Sequence, residues 1–287
     1  IVEVIAGALI DSSVSFLRVG GNLDELGPIQ GITGSRNQLG ILAVLALITF
    51  VLELRTKSVA RGVAVGSIAL AAVTLLLTRS PLGWVSVLVV ALAAAALYGL
   101  RRAERERRRI LQVALLVAVT VSACAAWVFR GAIVALFNAS GDLTYRLNVW
   151  QQAQALINLK PILGWGWIGA WRDDITPFQA FDGLTTRSPA SASNAFIDVW
   201  LQLGLVGLCL FITLVGLAFV RSWILASRRK TVVYTWPALM MVALVTTAMG
   251  ESSILIEFGW LALVVCTIKA AQQLSWRAAL TGAEPTG

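Results

Sequence analysis

The sequence predicts an all-α fold, a polytopic transmembrane bundle of about seven or eight helices. Composition is the first reason. Of the 287 residues, 58% are hydrophobic and 13% are charged, and the mean hydropathy is +0.81, whereas soluble domains are about 45–50% apolar and about 25% charged. The second reason is that the apolar residues gather in runs close to the ~20 residues that a helix needs to cross a bilayer. We therefore expect lipid to surround most of the chain.

The apolar runs follow one another along the whole sequence. After an apolar stretch at 1–17 and a polar link at 18–37, they occupy 38–54, 62–78, 82–100, 110–130, 195–220, 232–250 and 255–274. Backbone polar groups in lipid must be satisfied within the segment, so we expect these runs to be helices. They indicate a single transmembrane domain over 1–287, and the start at Ile1 without a methionine suggests a fragment of a longer chain whose first helices are missing.

The basic residues between the runs predict an orientation. The connections at 55–61, 101–109 and 221–230, together with the C-terminal tail, fall at alternate helix ends and carry 15 of the 23 basic residues. The positive-inside rule makes these pieces cytoplasmic. It places 18–37, 78–82, 138–194 and 250–254 on the outer face. The net charge of +8 is therefore a topology signal, and no nucleic-acid partner is expected because the basic clusters are short and lack an aromatic platform.

Metal and cofactor chemistry are not expected. The chain has no histidine, which removes the commonest metal ligand and the usual general base. Its three cysteines, Cys124, Cys209 and Cys266, lie in apolar runs without the spacing of ligands. We interpret them as small packing residues.

The longest polar segment, 138–194, is predicted to be an extracytoplasmic loop with short interfacial helices. Around Arg146 the apolar spacing is helical, and Pro161 is expected to end that helix. Gly164, Gly166 and Gly169 then allow close backbone approach. The segment also carries four tryptophans, whose rings either stack on sugars or form an aromatic belt at the membrane surface: Trp150, Trp165, Trp167 and Trp171.

Three arginines are predicted at the outer headgroup level, namely Arg36, Arg79 and Arg146. A guanidinium keeps its charge and grips phosphate with a bidentate fork, so together they would suit a lipid-linked diphosphate. The alternative is that each one only reaches the headgroups. Ser193 or Asn194 can cap the helix that follows. The carboxylates Asp198, Glu251 and Glu257 would act as a base or pair with the arginines.

Four stretches in a fixed order carry a family resemblance. They are GITGSRNQLG, LLLTRSPLGW, YRLNVWQQAQALINLKPILGWGW and SNAFIDVWLQLGLVGL. On this topology the set resembles the O-antigen ligase and polymerase superfamily, which includes exopolysaccharide-production membrane proteins. The resemblance covers roughly residues 31–270, the conserved C-terminal part of that family.

The resemblance implies a GT-C-like glycosyltransferase that needs no metal or other cofactor. Such an enzyme transfers a glycan from an undecaprenyl-diphosphate-linked donor to a hydroxyl of a glycan or lipid acceptor. It works among membrane lipids at the outer face of the bacterial cytoplasmic (inner) membrane. By position, the resemblance implies catalytic roles for Arg79, Arg146, Ser193 and Asn194, and substrate-binding roles for Arg36, Asn37, Tyr145, Trp150, Gly164, Trp165 and Gly166.

The chain departs from the family at one position. Where the family usually has His-Asn, this sequence has Ser193-Asn194, and the histidine is thought to activate the acceptor hydroxyl. Asp198, Asp182 and Glu251 are the carboxylates that would replace it. A transporter or flippase of lipid-linked glycans would use the same arginines without forming a bond. The small number of prolines inside the apolar runs disfavours it, because transporters often have broken helices. A purely structural membrane protein would leave the arginines unexplained.

Overall fold

The computed structural model of the chain describes residues 28–33, 35–128, 140–181, 189–229 and 231–272. Eight α-helices lie in these residues, together with turns and short 3-10 segments, and the predicted all-α fold is confirmed. They are α1 (Arg36–Thr56), α2 (Arg61–Thr78), α3 (Pro81–Arg102), α4 (Arg105–Val128), α5 (Ser140–Leu159), α6 (Ala195–Arg228), α7 (Thr235–Ala248) and α8 (Glu257–Gln272).

Four of the described helices, α1, α2, α3 and α6, are long and apolar enough to cross a membrane by length and composition. They coincide with the apolar runs predicted at 38–54, 62–78, 82–100 and 195–220. Large aliphatic side chains on them are exposed, including Leu88, Leu92 and Leu210 at 60–67% of their surface. Lipid removes such surface from water, so the chain is a multi-pass membrane protein.

Two compact units divide the chain. One contains 1–94 and 218–287, and the other contains 95–217. In the first unit, α1 packs against α2 and α7, and α7 packs against α8. The buried side chains Ile41 and Val44 of α1 and Met241 and Leu244 of α7 belong to its core. The Trp236 indole N–H donates to the Thr49 hydroxyl at 3.0 Å and joins α7 to α1.

The second unit is organised around one face of α5. Val149, Ala153 and Ile157 follow at intervals of four residues and are all at most 2% exposed, which is the spacing of one helical face. They pack against aromatic residues of the segment after α5 and against α6, in a cluster that also contains Trp171, Phe178, Phe181, Ala192 and Leu201. The predicted outer segment therefore contains a 20-residue helix with its own apolar core.

Candidate functional site

Helix α6 is broken at Gly204, and the break holds the turn that follows α5. Gly204 has φ 65° and ψ −168°, outside the helical region. In a continuous helix the Leu205 and Val206 amides would donate four residues back. Here they donate instead to Pro161 O at 2.9 Å and Ile162 O at 3.3 Å.

The helix carbonyls released by the break are also used. Leu201 O accepts the amide of Trp165 at 3.1 Å, and Gln202 O accepts the amide of Gly166 at 2.8 Å. Four backbone hydrogen bonds therefore join the turn to the break. Buried or lipid-facing backbone groups are costly when unpaired, so this exchange is what permits a break in so apolar a helix.

The three glycines of the turn differ in how much space their surroundings leave for a Cβ. All have positive φ, at 69°, 102° and 82° for Gly164, Gly166 and Gly169. A Cβ on Gly164 would lie 2.5 Å from Gln202 O and 2.5 Å from Gly204 N, whereas a Cβ on Gly166 or Gly169 would meet nothing within 4 Å. The predicted close backbone approach is thus confirmed at Gly164. The Gly166 backbone also approaches α6, through its 2.8 Å hydrogen bond to Gln202 O. At Gly166 and Gly169 the space for a Cβ is open, so glycine is needed there for the backbone angle.

Two polar residues one turn apart on α6 anchor the rest of the outer segment. Gln202 is fully buried, and its Oε1 accepts the amides of Ile168 at 2.7 Å and Gly169 at 3.0 Å. Asp198 is 2% exposed, and its carboxylate accepts the Trp171 indole N–H at 2.7 Å and the Ala192 amide at 3.2 Å. Asp198 therefore organises the loop, which weakens its case as a general base.

The four tryptophans of the outer segment have different environments. Trp171 is 5% exposed; its ring stacks on Phe178 at a centroid distance of 5.1 Å and packs at a tilt against Phe181 at 4.6 Å. It belongs to the core, so neither sequence interpretation applies to it. The Trp165 indole donates to Leu156 O, and the Lys160 ammonium lies 4.2 Å from the centre of its ring. Trp167 is 46% exposed.

Arg146 and Trp150 bind the chain that leads into α6. The Arg146 Nη1 donates to Ser193 O at 3.2 Å, and the Trp150 indole donates to Ala192 O at 2.8 Å. Because the two side chains lie four residues apart on α5, they share one face and reach consecutive carbonyls. The arginine and tryptophan at this spacing therefore have a local structural role, which is to fix the position of Ser193. Tyr145, the neighbour of Arg146, is partly buried against the same core.

Ser193 and Asn194 form the entrance to α6. The Asn194 Oδ1 accepts the amides of Phe196 at 3.0 Å and Ile197 at 3.2 Å. Of the two predicted caps, Asn194 is therefore the one that the structure uses. Ser193 has φ 48°, in the left-handed region where asparagine, aspartate and histidine are enriched among non-glycine residues.

In the first unit, a second polar cluster lies where α1 begins and α2 ends. The Ser80 hydroxyl donates to Asn37 Oδ1 at 2.9 Å, and Asn37 Nδ2 donates to Glu251 Oε1 at 2.9 Å. Ser80 is fully buried, and its Oγ accepts the Gly83 amide at 3.1 Å, which caps α3. The cluster thus joins the starts of α1 and α3.

Two of the predicted arginines flank this cluster. Arg36 precedes Asn37 as the first residue of α1, and Arg79 precedes Ser80 at the end of α2. Arg79 is exposed and has φ 45°. Among the described residues, neither guanidinium has a hydrogen-bond or ion-pair partner. Both cations are therefore available to a ligand.

A family model described as O-Antigen ligase matches residues 66–212, half of the chain. This chain belongs to the O-antigen ligase family. No curated protein and no solved structure matches the chain.

The part matched by the O-antigen ligase family runs from α2 into α6. It includes Arg79, Arg146, the turn at Gly164 and the Ser193-Asn194 pair, whereas Arg36, Asn37 and Glu251 lie outside it. Membership supports substrates of the lipid-linked glycan class for this family member.

The structure groups the site residues within each unit. Arg36, Asn37 and Arg79 gather in the first unit. In the second unit lie Tyr145, Arg146, Trp150, Gly164, Trp165, Gly166, Ser193 and Asn194. Asp182 lies outside the described residues. No group of three or more histidine, cysteine, aspartate or glutamate side chains is placed to hold a metal in the described part of the chain.

Sequence reasoning missed the roles of Ser80 and Gln202. Both are polar residues that the structure buries completely. The available signal was the spacing of Asp198 and Gln202, two polar residues four positions apart on an apolar helix. Buried polar side chains need hydrogen-bond partners, so this pair could have been used to predict that a polar segment binds α6 at Asp198 and Gln202.

Proposed function

We propose that this O-antigen ligase family member is a membrane glycosyltransferase. It transfers a glycan from an undecaprenyl-diphosphate-linked donor to a hydroxyl of a glycan or lipid acceptor, on the outer face of the bacterial cytoplasmic membrane. The observation that carries the proposal is the pair Arg36 and Arg79, two guanidinium groups without partners among the described residues, beside the joined starts of two helices.

This arrangement suits a phosphate for two physical reasons. The start of a helix presents amide N–H groups and the positive end of the helix dipole, which favour anions. The starts of α1 and α3 are joined through Asn37 and Ser80, so the positive ends of both helix dipoles lie at the same place. Each guanidinium adds a permanent charge and a planar fork that matches phosphate oxygens.

Arg146 has a positioning role that is compatible with donor binding. One of its terminal nitrogens holds Ser193 O. We assign Arg146 to the fixation of the segment before α6 and to contact with the donor, as the family resemblance implies.

The reaction needs one bond to form and one to break. The acceptor oxygen attacks the anomeric carbon of the donor glycan, and the bond from that carbon to the diphosphate oxygen breaks. The electron pair leaves with the diphosphate, whose developing charge the arginines stabilise, an effect commonly worth several kcal/mol. The acceptor proton passes to a base.

Glu251 is the carboxylate to which we assign that proton. It is 8% exposed and accepts a hydrogen bond from Asn37, next to Arg36 in the chain. Asp198 is committed to Trp171 and to the Ala192 amide. Because a diphosphate is a good leaving group, general-base help here is worth ~10²–10⁴-fold, and the reaction tolerates the absence of histidine.

Reconstitution with a lipid-linked oligosaccharide tests the proposal. We expect Arg79→Ala and Arg146→Ala each to abolish glycan transfer while the protein remains monodisperse and helical. Arg79→Lys keeps the charge without the fork and should retain part of the rate. Arg172→Ala is the matched control, because within the described part of the chain Arg172 pairs with Asp174 alone, in an exposed contact of 2.8 Å. Full activity in both the Arg79 and Arg146 variants would overturn the assignment.

A transporter or flippase of lipid-linked glycans is the second candidate. The break in α6 at Gly204 favours it, because broken helices are common in transporters. The four hydrogen bonds across the break join it to a turn of the same unit, which makes it a fixed feature of that unit. Movement of the donor between leaflets without a new glycosidic bond would select this function.

A further inference from the structure

The turn between α5 and the α6 break has an unusually exposed apolar surface. Leu159, Ile162 and Leu163 are 69%, 61% and 77% exposed. The value for Leu163 is the highest of any large apolar side chain in the described residues. Exposed aliphatic side chains grouped in this way mark a contact with a partner or a membrane.

The backbone contacts place this turn beside the apolar surface of α6. Pro161 O and Ile162 O accept the amides of Leu205 and Val206, so Ile162 and Val206 lie at the same level. Leu205 and Val206 are 48% and 50% exposed, and Leu210 farther along α6 is 67% exposed. The apolar surface of the turn is therefore continuous with that of a membrane-spanning helix.

The length of α6 places both surfaces at the edge of the hydrocarbon layer. Residues 205–220 contain no charged side chain, and Arg221 follows them. At about 1.5 Å per residue, a hydrocarbon thickness of ~30 Å takes about 20 residues. The unbroken part before Arg221, residues 205–220, spans about 24 Å at this rise, so the hydrocarbon layer ends within a few residues of the break and of the hydrogen bonds to the turn.

The polar part of the turn suits the same position. Lys160 lies between Leu159 and the other two aliphatic side chains, and its ammonium is 4.2 Å from the centre of the Trp165 ring. A lysine with an apolar stem and a tryptophan are typical of the headgroup level. Exposed aliphatic side chains next to a Lys–Trp pair suit an anchor for a lipid surface.

We propose that the turn at 159–163 inserts Leu159, Ile162 and Leu163 into the acyl chains of the leaflet nearest the start of α6. The occupant of this surface is bilayer lipid. Insertion fixes the depth of the turn relative to the membrane surface. Because the turn is hydrogen-bonded to α6, it also fixes the depth of the segment at Ser193 and Asn194. Insertion concerns only the position of the turn in the membrane, so it can be tested separately from glycan transfer.

Site-directed fluorescence in vesicles of phosphatidylcholine and phosphatidylglycerol tests the inference. A single cysteine replaces Leu163 in a chain whose Cys124, Cys209 and Cys266 are changed to alanine, and it is labelled with a polarity-sensitive nitrobenzoxadiazole dye. Leu210→Cys is the lipid-facing reference, and Asp173→Cys, an exposed residue of the same outer segment, is the aqueous reference. Lipids with nitroxides near the headgroup or deep in the acyl chain quench the dye.

We expect the dye at Leu163 to have a blue-shifted emission and to be quenched several-fold more strongly than the dye at Asp173. The shallow nitroxide should quench it more than the deep one, and the Leu210 label should show the opposite preference. Emission and quenching like those at Asp173 would overturn the inference. A blue shift without nitroxide quenching would also overturn it, because the cover would then be protein. Ile162→Cys repeats the test if the Leu163 variant does not fold.

Discussion

Gly164→Ala is the perturbation whose cost the structure defines most sharply. The new Cβ would lie 2.5 Å from Gln202 O and from Gly204 N, and both neighbours are backbone atoms that cannot rotate away. At φ 69°, alanine also pays about 1–2 kcal/mol for the left-handed conformation. Relief of the clash pulls the turn from the break and weakens hydrogen bonds whose loss costs roughly 1–3 kcal/mol.

The sum of these effects is a loss of roughly 2–5 kcal/mol of stability. For a protein of this size, each kcal/mol lowers the unfolding midpoint by about 2–4 °C, so we expect a drop of about 10 °C. Thermal unfolding of the detergent-solubilised protein, followed by circular dichroism, measures it. Local separation of turn and break should also speed proteolysis of the outer segment.

Two matched glycine variants isolate the clash. Gly166→Ala has a similar backbone penalty at φ 102° but open space around the Cβ, so it should lose only about 1–3 kcal/mol. Gly66→Ala lies in α2 with nothing within 4 Å of its Cβ and should be neutral or slightly stabilising. If Gly164→Ala were as stable as Gly166→Ala, the exchange of backbone hydrogen bonds at the break would be refuted.

Four further substitutions test the assigned roles. Ser193→His restores the family residue at a position whose φ of 48° suits histidine. We expect the variant to fold normally and its transfer rate to change with pH near 6.5. An unchanged pH profile would show that the imidazole does not reach the acceptor. Asp198→Asn leaves one oxygen for the Trp171 indole but turns an amide donor toward a backbone N–H, so a loss of about 1–3 kcal/mol in thermal unfolding is expected. Trp171→Phe should cost less in that background than in the wild type if the contact is real. Glu251→Gln leaves an oxygen that still accepts the hydrogen bond from Asn37 but cannot take up a proton. We expect the rate of transfer to fall ~10²–10⁴-fold with KM little changed. A wild-type rate would show that Glu251 is not the base.

The helices of the bundle were largely predictable because their signal is local. Runs of apolar residues define α1, α2, α3 and α6, and no tertiary contact is needed to see them. The end of α5 before Pro161 and the cap at Asn194 were predictable for the same reason, since one residue type decides each of them.

The break in α6 could not be predicted from local pattern. Gly204 stands in an apolar run where glycine is ordinary, and the break depends on hydrogen bonds from a turn about 40 residues earlier in the chain. The burial of Trp171 in the core could not be predicted for the same reason. Its ring is core because Phe178, Phe181 and Asp198 converge on it, and only the fold brings them together.

The cluster of Asn37, Ser80 and Glu251 shows the same limit. Its members are separated by 43 and 214 positions in the sequence. The sequence indicated each arginine beside it by the cost of a charge near lipid. It did not indicate the buried hydroxyl that joins two helix starts.

The most direct test of the central claim counts both products of the purified wild-type protein. In vesicles that contain a glycan labelled on its undecaprenyl diphosphate and a hydroxyl acceptor, mass spectrometry follows the glycosylated acceptor and the free undecaprenyl diphosphate. If the protein is a glycosyltransferase, the two products appear together in equal amounts, and Arg79→Ala stops both. Donor that crosses the membrane intact, with neither product formed, would contradict it.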